Sequence, residues 1–428
     1  MPALPARTIA RRLPLLVLAV AAIGGSSHAF EASFRSELTV AEAVEIVRGR
    51  QDWVVCLPEL TTLSPEVATA LVTGPGRYKL SLPSLTAVAP ETARAVASCS
   101  VDIDLSGLTS LSPETATALA AHRGTLELGG ITSLDPDAAA ALAEHAGQLC
   151  LSGISVLDPA VANRLCRHRG RLDLPGVTML SPQVARELQP HEGCLVLPRL
   201  AGLSVETASA LAGHRGPLSL DGFGELSVEV AAALAGHAGT LTLGGGSILP
   251  VGVAAALAAH AGTLSLPAVN LLAPEVALAF APHRGLLCLP TVSTLSVAAA
   301  EAIALHRGTL VLSGLHTLEP AAAAALSRHG GDVDLFKLTR IPRLDSPEIA
   351  GLLAAKTPLL TLPNVTCIDG GDSVAVATAL AGGSGSVSIP NLRAASPRTV
   401  AALLANGNVS IPPTDAIELI AEAGAARP

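Results

Sequence analysis

Ten of the chain's twelve histidines stand at an unbroken interval of 23 residues: His122, His145, His168, His191, His214, His237, His260, His283, His306 and His329. Two residues after each comes a glycine, from Gly124 and Gly147 through to Gly331. No single catalytic or binding centre requires such a ruler. A fixed period between about 20 and 50 residues belongs to one supersecondary unit stacked on copies of itself, which makes an elongated solenoid.

Residues 126–148 serve as the type copy. Leu126-Glu127-Leu128 alternates as a short strand does, both leucines inward and Glu127 outward. The pair recurs from Leu149/Leu151 to Leu310/Leu312, and in weaker form at Val55/Leu57, Leu80/Leu82, Ile103/Leu105, Val333/Leu335, Leu360/Leu362, Val387/Ile389 and Val409/Ile411. Sixteen rungs at about 4.8 Å each predict a parallel sheet roughly 70 Å long.

Ile131 and Leu134 pin the turn that leaves the strand, and a helix start follows. Ser112 is placed as N-cap, Pro113 sits where its missing N–H costs nothing, and Glu114 favours the positive helix end. Ser64-Pro65, Asp135-Pro136, Asp158-Pro159, Ser181-Pro182, Ser346-Pro347 and Ser396-Pro397 repeat the signal. The helix runs to the histidine, and the glycine beyond is read as a C′ residue taking positive φ. One helix position is alanine in ten successive copies, Ala116 to Ala323, with a large apolar residue three places on. That spacing puts both on one face, the alanine bringing the helix close to the sheet.

Leu-x-Leu-x-x-Ile-x-x-Leu followed by a capped helix resembles leucine-rich repeats, particularly the cysteine-containing and GALA-type variants, over roughly residues 53–412. The resemblance implies an α/β fold, a right-handed leucine-rich-repeat-like solenoid. Its parallel sheet would have about sixteen short strands, concave, with a short helix per repeat on the convex side. One departure stands out. The slot that holds Asn or Cys in the family is aliphatic here (Ile131, Ile154, Val177, Leu200, Leu315), so another group must satisfy the turn amides.

The ends differ from the middle. Residues 1–29 carry Arg7, Arg11 and Arg12, an apolar run from Leu13 to Ile23 and small residues at Ser27 and Ala29, the pattern of a secretory signal peptide. That run is too short to span a bilayer, which takes about 20 residues. Residues 30–52 form a helical half-repeat cap, with a capping box at Thr39-Val40-Ala41-Glu42 and with Trp53 and Tyr78 near the core edge. Residues 413–428 are a C-terminal cap or tail, with a short closing helix over 415–423.

Removing the three signal arginines takes the formal charge from −8 to −11. An acidic chain without a basic cluster is a poor match for nucleic acid or for an anionic membrane. Export leaves a protein or surface ligand as partner, with no membrane insertion after cleavage, in the periplasm, at the cell surface or outside the cell. Three of the seven cysteines, Cys56, Cys150 and Cys288, share one slot on distant rungs. At roughly 19 Å for the nearest pair, they lie beyond the ~7 Å a disulfide bridges.

Two readings fit the histidines. One is a row of metal or proton sites; the other is a structural residue at each helix C-terminus, bonding free carbonyls. No carboxylate or thiolate recurs beside them, which favours structure. The outward strand slot, where such scaffolds bind, includes Glu127, Asp173 and Asp334 and few of the Tyr, Trp or Arg anchors typical of interfaces. Near the C-terminus two successive repeats each gain four residues, Pro342-Arg343-Leu344-Asp345 and Asp369-Gly370-Gly371-Asp372. Asp345, Asp369 and Asp372 are thereby candidate ligands for Ca²⁺, against the plain alternative of tolerated loop insertions. Phe336, Lys337, Arg340 and Arg343 make the chain's one aromatic and basic spot. No hydrolase elbow, zinc-protease motif or phosphate loop occurs, so the chain reads as a non-catalytic scaffold with no cofactor. The alternatives are a structural spacer or envelope component, and a cation-dependent binder.

Overall fold

The computed structural model describes residues 35–48, 54–73, 78–222 and 224–420. The 1–29 segment and Trp53 lie outside them. The chain divides into two compact units, Met1–Ser219 and Leu220–Pro428.

In the first unit each rung pairs in parallel with the next, leucine against leucine. Leu126 faces Leu149, Leu149 faces Leu172, and Leu172 faces Leu195. In the second unit the register is the same, from Leu241 against Leu264 to Val311 against Asp334. The inward leucines are buried, as are all ten alanines of the helix slot. A methyl group is all that fits between helix and sheet.

Every helix start proposed from Ser-Pro or Asp-Pro is made. The Ser112 hydroxyl accepts from Thr115 N–H at 3.2 Å, and the Asp135 carboxylate from Asp137 N–H at 2.8 Å. Thr39 and Glu42 close their box, Thr39 N–H donating to the Glu42 carboxylate at 2.8 Å. Tyr78 is buried and its hydroxyl donates to Leu71 O. No disulfide joins the described cysteines.

Strands occupy all sixteen expected rungs. They do not form one sheet. The ladder stops at Val333–Asp334, and Leu359–Thr361, Ser386–Ser388 and Val409–Ser410 make a separate three-stranded sheet. The repeat after Val333–Asp334 is four residues longer and its two strands are unpaired with each other, whereas the next repeat is lengthened alike and Leu360 still faces Val387. A further small sheet, Cys367–Ile368, Ala394–Ala395 and Glu418–Leu419, follows the turns of the last repeats. Its last strand stands where a closing helix is expected over 415–423; among the described residues there only the 3₁₀ turn Thr414–Ala416 is helical, and 421–423 lie outside them. The 415–420 stretch instead lends its backbone to an open edge, with Ala394 facing Glu418.

The glycines after the histidines do not take positive φ, which among the described glycines occurs only at Gly370 and Gly407. Their reason is contact. A Cβ on Gly193 would lie 1.9 Å from Gly170 O, and one on Gly308 1.9 Å from Gly285 O. The aliphatic turn slot also resolves simply: Ile131 N–H returns to Leu128 O and Val177 N–H to Leu174 O, at 3.4 and 3.2 Å. These local turns satisfy the amides that a side-chain ladder would otherwise reach.

Candidate functional site

Each histidine lies just past its helix, its N–H bonded three residues back, as in His122 to Leu119 O at 3.0 Å. That turn aims the ring inward, and all ten rings are almost fully buried. In the first unit the rings from His122 to His191 stack at 5.8 to 6.1 Å between centroids; in the second, those from His237 to His329 stack at 5.2 to 6.4 Å. Some nitrogens meet backbone carbonyls, as His145 Nε2 does at Gly124 O, 3.1 Å away. Others, including both of His168, have no hydrogen-bond partner. Burial, aided by neighbouring imidazoles, lowers the affinity of His122, His168 and His283 for a proton; at His145 burial alone does so. No three His, Cys, Asp or Glu side chains form a group able to hold a metal among the described residues.

The column ends in a different residue. Lys356 stands four places before the rung residue Leu360, as His329 does before Val333, and its ammonium donates to His329 O and Gly331 O. A cation here caps carbonyls at a helix end, which carry partial negative charge.

On the outward strand face of the first unit the charges are already engaged. Lys79 bonds Glu127 at 2.7 Å and approaches Asp104 at 3.8 Å. Burial raises the Asp104 pKa, but donation from Ser106 and Ser81 outweighs this and holds its carboxyl below the ordinary range. Asp173 takes Arg171 at 2.8 Å and the Gln148 amide at 2.7 Å. Glu127 and Asp173 therefore sit in ion pairs with their own neighbours. The partners Lys79, Gln148 and Arg171 escape a reading that tracks only the outward slot, since each stands one residue before an inward apolar residue.

The second unit carries the more open place. After Val333–Asp334 the chain makes the 3₁₀ turn Leu338–Arg340, and it returns through the helix Pro347–Lys356 to Leu359–Thr361. Where the ladder has stopped, a hollow of about 550 Å³ opens, lined by Asp334, Phe336, Arg340, Lys356, Leu359 and Thr361 among others. Phe336 is 54% exposed and Leu359 81%. The Arg340 guanidinium lies 4.6 Å from the Phe336 ring centroid, a cation–π arrangement that holds both in place. Asp334 accepts from Phe336 N–H at 3.0 Å.

Of the expected cluster, then, Phe336, Arg340 and Asp334 line one hollow. Lys337 is exposed on the same turn, and Arg343 turns to Asp369 at 3.2 Å. Asp345 and Asp372 are exposed, and Asp372 makes no cap bond to the helix it precedes. Leu359 and Lys356 go unnoticed in the sequence. Lys356 was findable, because it occupies the histidine slot.

Sixteen rungs each supply one short parallel strand, with a short helix between successive rungs, thirteen of the strands in one ladder and three in the next. The chain has the leucine-rich-repeat fold. No family model matches the sequence, and no curated protein does. Among solved structures with this fold, it is similar to a leucine-rich-repeat protein of Leptospira interrogans at 16% identity, over 87% of this chain and 98% of that one, with a TM-score of 0.36. It is similar to an internalin of Listeria monocytogenes at 12% identity, over 87% and 93%, with a TM-score of 0.33. A chain of the Drosophila Toll–Spätzle complex matches at 15% identity over 73% of this chain, which spans 42% of that one, with a TM-score of 0.42. Within the leucine-rich-repeat fold this chain departs in its aliphatic turn slot. Asn364 and Asn391 bond the strand-leaving turns of the preceding repeat, at Arg340 O and Pro363 O, 2.7 and 2.8 Å away.

Proposed function

We propose that the chain is an exported, non-catalytic repeat scaffold that binds a protein or surface ligand through the hollow beside Phe336. The observation that carries this is the exposure of Phe336 and Leu359 around a 550 Å³ opening. The inward rung residues are buried here as elsewhere, and on the outward face of the first unit Lys79, Glu127, Arg171 and Asp173 are paired. An exposed aromatic held by an arginine is the kind of anchor that dominates protein interfaces. Export rests on residues 1–29, and no helix among the described residues is long and apolar enough to cross a membrane.

The test is a comparison of two proteins, residues 30–428 and the same chain with Phe336→Ala and Leu359→Ser, each used to capture partners from envelope and culture supernatant. A partner retained by the first and lost by the second supports the reading. Partners retained equally by both, or self-association alone, go against it; the latter favours a spacer or envelope component.

A further inference from the structure

The break in the ladder has matched edges. In regular rungs the amide of the second inward residue donates to the outward residue of the next rung. Leu312 N–H reaches Asp334 O at 2.9 Å, and Leu362 N–H reaches Ser388 O at 2.9 Å. At Leu335 the equivalent bond to Thr361 O is not formed, although Leu335 is only 2% exposed. Buried backbone donors in folded proteins are nearly always paired. On the other side of the repeat the helices Pro320–Ser327 and Pro347–Lys356 remain packed together. The parting is therefore confined to the strands.

We propose that an extended segment of a partner polypeptide enters this break as an additional parallel strand, accepting from Leu335 N–H and donating to Thr361 C=O. This rests on the binding reading above and specifies its mode. Strand addition draws its affinity from main-chain hydrogen bonds and its selectivity from alternate side chains. The hollow is lined from both edges, by Val333, Asp334 and Leu335 on one side and by Leu359 and Thr361 on the other, three residues being the length of a rung. The entering segment must read apolar–x–apolar, its two apolar side chains continuing the buried rows of Val333 and Leu335. Arg340 lines the hollow and pairs with no carboxylate among the described residues, so an acidic residue beyond the second apolar one suits the entering segment.

The probe is the chain's own rung, residues 308–314, as an acetylated and amidated peptide. Its control carries N-methylleucine at the second leucine, which keeps the side chain and removes the donor. Hydrogen exchange is followed at single amides of the 30–428 protein. In the free protein Leu335 exchanges at least 100-fold faster than Leu312 and Leu362. With millimolar rung peptide the Leu335 rate falls at least tenfold, and with the N-methyl peptide it does not change. A slow Leu335 in the free protein, or no slowing with the rung peptide, or equal slowing with both peptides, overturns strand insertion. If partner capture still depends on Phe336 and Leu359, the binding reading survives that result; if capture does not depend on them, the binding reading fails by itself.

Discussion

His191 Nδ1 lies 3.0 Å from His214 Nε2, and His214 Nδ1 lies 2.9 Å from Gly216 O. A carbonyl only accepts, so the proton of neutral His214 sits on Nδ1 and its Nε2 is the acceptor. His191 must then donate from Nδ1, leaving its Nε2 bare, buried and without a partner. Two tautomers are fixed by one carbonyl. A proton added to His214 Nε2 would set one N–H against another.

Acid is therefore expected to loosen this protein. Burial, then His214 and His168, lower the His191 pKa to about 4; burial, then His283 and His329, lower that of His306 to about 4. An unfolded histidine titrates near 6.5. Between about pH 6.5 and 4 the unfolded chain binds protons that the folded chain refuses, so stability is complete above 6.5 and is lost as pH falls toward 4. Each of the two contributes on the order of 3 kcal/mol to that loss. Urea midpoints at pH 7.5, 6, 5 and 4 measure it. A midpoint that stays level from 7.5 to 4.5 would show that the rings are not held neutral.

His214→Ala removes an acceptor from His191 and a donor from Gly216 O. A cost of about 2–4 kcal/mol is expected, from unpaired buried polar groups and the space left behind. Capture of a partner at the Phe336 hollow should be unchanged. The same variant addresses metal: untagged wild-type protein is expected to take up no stoichiometric Zn²⁺. Uptake that is lost on substituting several ladder histidines would restore the metal reading.

Millimolar Ca²⁺ is expected to leave the melting temperature unchanged. Arg343 already neutralises Asp369 at 3.2 Å, and a ligand that binds only the folded state must raise the transition. A rise that disappears in Asp345→Asn or Asp372→Asn would show that the loops do converge on a cation.

Two glycine substitutions should part sharply. A Cβ on Gly193 meets Gly170 O at 1.9 Å, while one on Gly202 meets nothing within 4 Å. Gly193→Ala is expected to cost about 3 kcal/mol, at the upper end of overpacking. Gly202→Ala should be neutral or stabilising by up to about 1 kcal/mol, through the unfolded chain. Equal midpoints for the two variants would show that the rungs can slide apart cheaply.

The parts legible in the sequence are those that act within one copy. Ser112 caps its own helix, Ala139 faces its own sheet, and the interval between copies places the strands. Contacts between copies were not legible. Nothing in a row of histidines says that His191 bonds its neighbour while His145 bonds Gly124 O, because that choice turns on ring rotation. The glycines misled for the same reason: a residue after a helix suggests positive φ, whereas the demand on Gly193 comes from a carbonyl 23 residues earlier. The insertions at 342–345 and 369–372 were visible, but not that pairing parts beside the first and holds beside the second. Register is a relation between two strands, and Leu335 loses its partner only when Thr361 is displaced. Hence Phe336 and Arg340 could be singled out by residue type, while Leu359 and the opening could not.

Backbone touching backbone along the glycine row also limits how such a gene can change in length. Copying or deleting 23 codons, cut at any phase, restores every glycine-to-carbonyl contact and every leucine pairing. Unequal exchange between copies is therefore structurally silent, whereas gains of four residues are met unevenly, with strand pairing parted beside the first and kept beside the second. Ten nearly interchangeable copies in the middle, with irregular ones toward the C-terminus, are what that filter would leave behind.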